Sequence, residues 1–313
     1  MRYPVVFLTA LSMTACGDSS SGDKNVSGNP LATHQTDVQS YESIGILRKL
    51  AKTSETPGQV FADIENEYTK NGLNTRIKNR IDAHAEHPVA DLGIFLDKQI
   101  TAAIALGKAA ASPEDIALAG QVIDKSLIMY FYTAMYGVLH EDKTTSVEEA
   151  TAIFGLSNDG LTGKGLAKTA LARDVRFRTA LGLTALTPQI IAHLGQIKAE
   201  KSRLGLVDAL LAHVLLLSVL YEVEDAAIEL EKDVPVPSAV IEKLVEGRVY
   251  WEAVAPHMRR KEMNVDGFYA LLYPGITLDR TVPGFFLIGK TDLANADVVA
   301  MKTALEYMLE HAF

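Results

Sequence analysis

From about residue 40 to the C-terminus, apolar side chains recur at intervals of three and four, the period of helices with one buried face. The clearest start is Ser112-Pro113-Glu114-Asp115: a hydroxyl at the N-cap, proline in the first turn and two acids beside the exposed N–H groups. Ile116, Gly120, Ile123, Leu127, Tyr130, Ala134 and Gly137 then share one stripe, with glycines where a neighbour could approach closely, and the helix is predicted to end near His140. Thr187-Pro188 opens another helix. Ser238, after the break Pro235-Val236-Pro237, opens one carrying Val240, Leu244, Gly247, Trp251 and Val254, which Pro256 is predicted to close. The last helix places Ala294, Val298, Met301, Leu305, Met308 and Ala312 on one face. Shorter helices are predicted near 42–53, 58–71, 75–86, 90–110, 147–154 and 166–185, with Gly72 and Gly155 placed for C-terminal caps.

One segment differs in kind. Leu204 to Tyr221 is apolar on nearly every face, interrupted by Asp208, His213 and Ser218. Eighteen residues is the lower limit for crossing a bilayer, and an Asp and a His would lie in hydrocarbon, so the segment is predicted to be a central helix wrapped by others. Its acidic continuation, Glu222 to Lys232, is predicted to emerge into solvent. No convincing alternation of period two occurs, and no register recurs at the 30–45 residues of a solenoid repeat. The expected fold is therefore all-α: a multi-helix bundle around a central apolar helix, with a loop-rich stretch near 264–291. The break at 233–237 reads as a seam inside one helical domain spanning 39–313.

The N-terminus follows another pattern. Arg2 precedes a short apolar run, Val5 to Leu11, and then Ser12-Met13-Thr14-Ala15-Cys16. One positive charge, a short apolar core and small residues before a cut site form a secretory signal over 1–15. Met13-Thr14-Ala15-Cys16 resembles the lipobox of bacterial lipoproteins, with Met13 in place of the usual Leu. The resemblance implies that Cys16 becomes the lipid-bearing first residue of the mature chain, a covalent lipid anchor in the cell envelope. In that class an Asp directly after the cysteine retains the protein at the inner membrane. Here Gly17 follows and Asp18 stands one place later, so the outer membrane is the expected address. Cys16 is the only cysteine, and a lone thiol in an oxidising compartment is a liability that acylation removes. The Ser/Gly/Asn-rich stretch after it completes an expected lipidated tether over 16–38.

Charge narrows the partners. The chain has 30 Lys+Arg against 39 Asp+Glu, a formal net charge of −9. That excess of acid argues against nucleic acid as a partner, because phosphate backbones select basic faces. The expected partners are the membrane, through the lipid, and an unidentified protein or small molecule.

Catalytic templates fail in turn. His140-Glu141-Asp142-Lys143-Thr144 begins like a zincin helix, but Thr144 replaces the second His. His84 and His87 have i, i+3 spacing with Asp91 nearby, short of a four-ligand zinc site, and read as a solvated helix end. Gly155 to Gly165 lacks the Lys and Ser/Thr of a phosphate loop, and no Gly-x-Ser-x-Gly elbow exists. Tyr130, Phe131, Tyr132 and Tyr136 lie all round their helix and read as core. Glu242 with Glu246, and Arg248 with Glu252, read as solvated-face pairs. His213 and Asp208, polar groups inside the apolar helix, are the candidate ligand-binding residues; Glu224 lies on the azimuth of His213 but roughly 16 Å along the axis, too far to share an ion. No catalytic residue and no cofactor are predicted. The expected function is a membrane-anchored, non-enzymatic helical binding or scaffolding module, with a metal- or cofactor-binding protein using His213 and Asp208 as the alternative.

Overall fold

The computed structural model describes residues 30–80, 87–89, 91–141, 145–157, 162–182 and 184–313. The leader, Cys16, His84, Thr144 and part of the 155–165 loop lie outside the described residues. Twelve α-helices follow one another among them: α1 (Pro30–Ala51), α2 (Pro57–Lys70), α3 (Leu73–Lys78), α4 (Leu92–Lys108), α5 (Pro113–His140), α6 (Ser146–Phe154), α7 (Gly165–Ala180), α8 (Leu186–Gln196), α9 (Arg203–Leu230), α10 (Pro237–Arg260), α11 (Val265–Leu272) and α12 (Val298–His311). Two short 3-10 turns, Phe285–Leu287 and Lys290–Asn295, precede α12. Only an isolated bridge between Leu156 and Gly163 interrupts this all-α architecture among the described residues.

The central apolar helix is α9. By length and composition it could cross a bilayer, yet Leu211 and Val214 to Leu220 are buried beneath α10, α8 and α12, with α5 touching it as well. The segment 231–236 turns the chain so that α10 packs along α9, and α5 covers the other flank of α10. Ser112 caps α5 as its sequence requires: its hydroxyl accepts from the Asp115 N–H at 3.2 Å. Gly155 takes a left-handed φ of +81° at the end of α6, where a side chain would strain the backbone. Gly137 serves close approach, since a Cβ there would lie 1.4 Å from Nη2 of Arg80, which donates to the Thr133 carbonyl at 2.8 Å.

Several boundaries differ from the sequence expectation: α3 ends at Lys78 and α7 at Ala180, short of the expected 86 and 185, and Ala294 lies in a 3-10 turn before the last helix. Helix α1 begins at Pro30, so residues 30–38, expected as tether, form its first turns. Burial of Asp37 between Arg76 and the Tyr130 hydroxyl (3.2 Å) anchors them, a partnership invisible locally. Pro256 lies inside α10 rather than ending it. A mid-helix proline forfeits one backbone hydrogen bond, and carrying the helix one turn further buries His257 and Met258 in return. The expected loop near 264–291 contains α11, capped by Asn264, whose side chain accepts from the Gly267 N–H at 3.0 Å, and buried through Val265, Phe268, Tyr269 and Leu272.

Candidate functional site

Four helices converge on a cleft of about 220 Å³. Tyr41, Gly45 and Arg48 reach it from α1 at i, i+4 and i+7, and Lys168 and Ala172 from α7 at i, i+4. Asp124 and Lys125 come from α5 and Tyr250 from α10.

Beneath the cleft is a network of buried charge. The Asp124 carboxylate accepts from the Tyr41 hydroxyl at 3.0 Å and pairs with Arg48 and Lys125, each at 3.0 Å. Arg48 also donates to the Gly120 carbonyl at 2.6 Å, using the first glycine of the α5 stripe. Lys125 bridges from Asp124 to Glu246 at 2.9 Å. Arg173 donates to the Ser218 hydroxyl at 3.0 Å, lies 3.6 Å from Glu222 and stacks 4.0 Å from the Tyr221 ring centroid. Lys243 joins Glu222 at 3.2 Å, Asp225 at 3.4 Å and Glu246 at 3.8 Å.

Each ionisable group answers to this packing. Burial alone would raise the Asp124 carboxyl, but Lys125 and Arg48 outweigh it and hold the group well below the usual carboxylate range. Burial likewise opposes the charge of Lys125, and Tyr250, Asp124 and Glu246 overcome it, so the ammonium stays protonated. Glu222 goes the other way: burial first, and Glu246 beside it second, push it up to about 7 against Lys125, Lys243 and Arg173.

These positions correct two expectations. Glu222 is not in solvent but 1% exposed. Glu246, Arg248 and Glu252, expected on a solvated face, are 2%, 0% and 0% exposed. Opposite charges one turn apart look alike on an exposed and on a buried face; only neighbours from distant segments distinguish them. Glu252 accepts from the Tyr269 hydroxyl at 2.7 Å and pairs with Arg280 at 2.5 Å. His87, expected at a solvated helix end, is buried with Nε2 4.0 Å from the same Glu252.

The two residues singled out in the central helix are not brought together. Asp208 pairs through Oδ2 with Nε2 of His140 at 2.9 Å. His213 stacks on the C-terminal Phe313 with centroids 4.4 Å apart, and His257 lies nearly parallel to the same ring at 5.7 Å. No group of three or more His, Cys, Asp or Glu that could hold a metal ion occurs among the described residues. Glu224 pairs instead with Arg176 at 3.5 Å and Lys302 at 3.4 Å.

The His213–Phe313–His257 stack carries a pH prediction. Burial, the largest cause at both, lowers each imidazole from 6.5 to about 4, and Arg260 and Lys261 add to the effect at His257. The unfolded chain takes up these protons from pH 6.5 downward, whereas the folded protein resists until about 4. Stability present above 6.5 is therefore lost as the pH falls through that window, by about 3 kcal/mol per imidazole at most. His34, lowered chiefly by burial, acts in the same direction. Glu222, raised in the fold, opposes them by about one proton. Urea midpoints should fall between pH 6.5 and 4.5, and the double variant His213→Gln/His257→Gln should flatten that dependence. An unchanged slope in the double variant would show that other groups set it.

No protein-family model, curated protein or solved structure matches this chain.

Proposed function

We propose that this protein is a lipid-anchored helical module of the bacterial cell envelope, at the outer membrane, which binds a small molecule in the cleft between α1, α5, α7 and α10. The observation that carries the binding half is the cleft itself: walls from four helices over a floor whose charges are already paired and hydrogen-bonded. A floor assembled before the ligand arrives lowers the ordering cost of binding. A binding role fits the floor better than proton-transfer catalysis, because Lys125 is held protonated and Asp124 ionised, leaving neither free to exchange a proton near neutral pH. The lipobox-like Met13-Thr14-Ala15-Cys16 supports the anchoring half.

The halves are tested separately. Cys16→Ser in the full chain should release the protein from the membrane fraction with its helical circular dichroism unchanged; retention of the variant on membranes would refute the anchor. For the cleft, a thermal-shift panel of charged and uncharged small molecules is compared between wild type and Ala172→Trp. Ala172 is exposed and lines the cleft, so the indole should fill the space without entering the core. At least one compound should stabilise wild type and not Ala172→Trp. A panel that never separates the two proteins would sink the binding reading.

A further inference from the structure

We infer that the cleft takes a small free oxoanion, of phosphate or carboxylate chemistry, and that the anion enters together with a proton held by the buried Glu222–Glu246 pair. The inference rests on the cleft-binding reading and names its ligand class and coupling.

The cations are placed for the first part. Arg48, Lys49, Lys125, Lys168 and Arg173 line the cleft against the carboxylates Glu42 and Asp124, a local excess of positive charge on a chain of net −9. Lys49 and Lys168 are exposed at its rim and pair with no described residue. At the floor, the Lys125 ammonium spends two of its three N–H groups on Asp124 and Glu246. Arg173 engages Ser218 through Nε and Glu222 through Nη2, so its fork retains donors. The volume accommodates a small anion.

The proton follows from sharing. In the buried network the cations Arg48, Lys125, Arg173 and Lys243 face the carboxylates Asp124, Glu222, Asp225 and Glu246, which is balance without a ligand. Three of the four cations line the cleft, and two of these also hold the glutamates: Arg173 touches the cleft and Glu222, and Lys125 touches the cleft and Glu246. An anion drawing on both leaves the two glutamates less compensated in a medium of low polarisability, and exposed Lys49 and Lys168 offset little of that through solvent. Glu222 is the group that yields. It faces Lys125 from α5, Arg173 from α7, and Lys243, Glu246 and Tyr250 from α10, with Asp225 on its own helix. Its position near neutrality means that a modest loss of positive charge suffices to protonate it.

The full chain is titrated calorimetrically at pH 7 with inorganic phosphate and, separately, with succinate, each in PIPES and in Tris, whose ionisation heats differ. Saturable binding of at least one probe is expected, with net proton uptake, and with affinity falling as the pH rises from 6 to 8. Lys49→Ala/Lys168→Ala, at exposed positions that do not endanger folding, should weaken binding about three- to tenfold, and Ala172→Trp should abolish it. Glu222→Gln should lose the proton uptake of wild type; should that variant fail to fold, the pH dependence of wild-type affinity for succinate decides the coupling, because its carboxylates stay ionised at neutral pH whereas phosphate itself titrates there. Binding without proton uptake and with no pH dependence overturns the coupling. Binding indifferent to Ala172→Trp and to the lysine pair overturns the location. If neither anion binds while an uncharged compound shows Ala172→Trp-sensitive stabilisation, the oxoanion inference fails and the cleft reading stands; if nothing binds, both fail. Phosphatidylglycerol vesicles form the last arm: Ala172→Trp-sensitive binding to them, with none to inorganic phosphate, overturns the free anion in favour of a lipid headgroup.

Discussion

Replacing Arg248 by Met should lower the unfolding free energy by about 3–5 kcal/mol, because three buried carbonyls lose their donor at once. The guanidinium is wholly buried and forms no ion pair among the described residues, Asp292 acting on it only from further away. Nε and Nη2 donate to the Leu272 carbonyl at 2.9 and 2.6 Å, and Nη1 donates to those of Phe286 and Ile288 at 3.0 and 2.8 Å. Its plane also lies 3.9 Å from the centroid of Tyr273. Burial lowers its pKa to about 10, leaving it charged at neutral pH. Arg248 therefore pins the loop after α11 to α10. Lysine should recover little of the loss, since a single ammonium does not reproduce the planar fork that reaches three oxygens. Urea unfolding of wild type, Arg248→Met and Arg248→Lys measures this. A loss below about 1 kcal/mol for Met would mean that the carbonyls find other partners.

Leu216→Asp should be the more damaging change, costing upwards of about 4 kcal/mol and yielding little folded protein. Leu216 is 0% exposed in the middle of α9, and the buried charges further along the helix, around Glu222, are already committed to one another. Leu216→Ala, which removes volume and adds no charge, should cost about 2–5 kcal/mol and remain foldable, so thermal unfolding orders the three proteins. If α9 instead lay in lipid, wild type would need detergent and the Asp variant would gain solubility. That pair of results would overturn the buried-helix reading and the bundle with it.

The elements readable from sequence are those whose causes lie within a few residues. Ser112-Pro113 starts α5 because a hydroxyl and a proline satisfy a first turn wherever they stand. Gly155 ends α6 because a left-handed residue is a local need. The apolar run from 204 to 221 had to be covered, and α9 is. Even α11 carried a readable stripe, Val265, Phe268, Tyr269 and Leu272, obscured by the glycine- and proline-bearing residues after it.

The cleft was not readable, because the contacts that join its walls span long stretches of chain. Tyr41 meets Asp124 across 83 residues, Arg173 meets Ser218 across 45, and Lys125 meets a glutamate on α10. Glu222 read as solvated because acids usually are, and it is buried because Arg173 and Lys243 come to it. His213 and Asp208 stood out by interrupting an apolar run, yet their partners, Phe313 and His140, lie 100 residues ahead of one and 68 behind the other. By itself the sequence determined the class of fold, the central helix and most helix ends, since periodicity, capping and turn chemistry act over three to seven residues. Which charges are buried, and where a ligand could sit, only the tertiary structure decided: a charge can be taken out of water only when a counter-charge arrives from elsewhere in the chain, and local pattern does not encode that meeting.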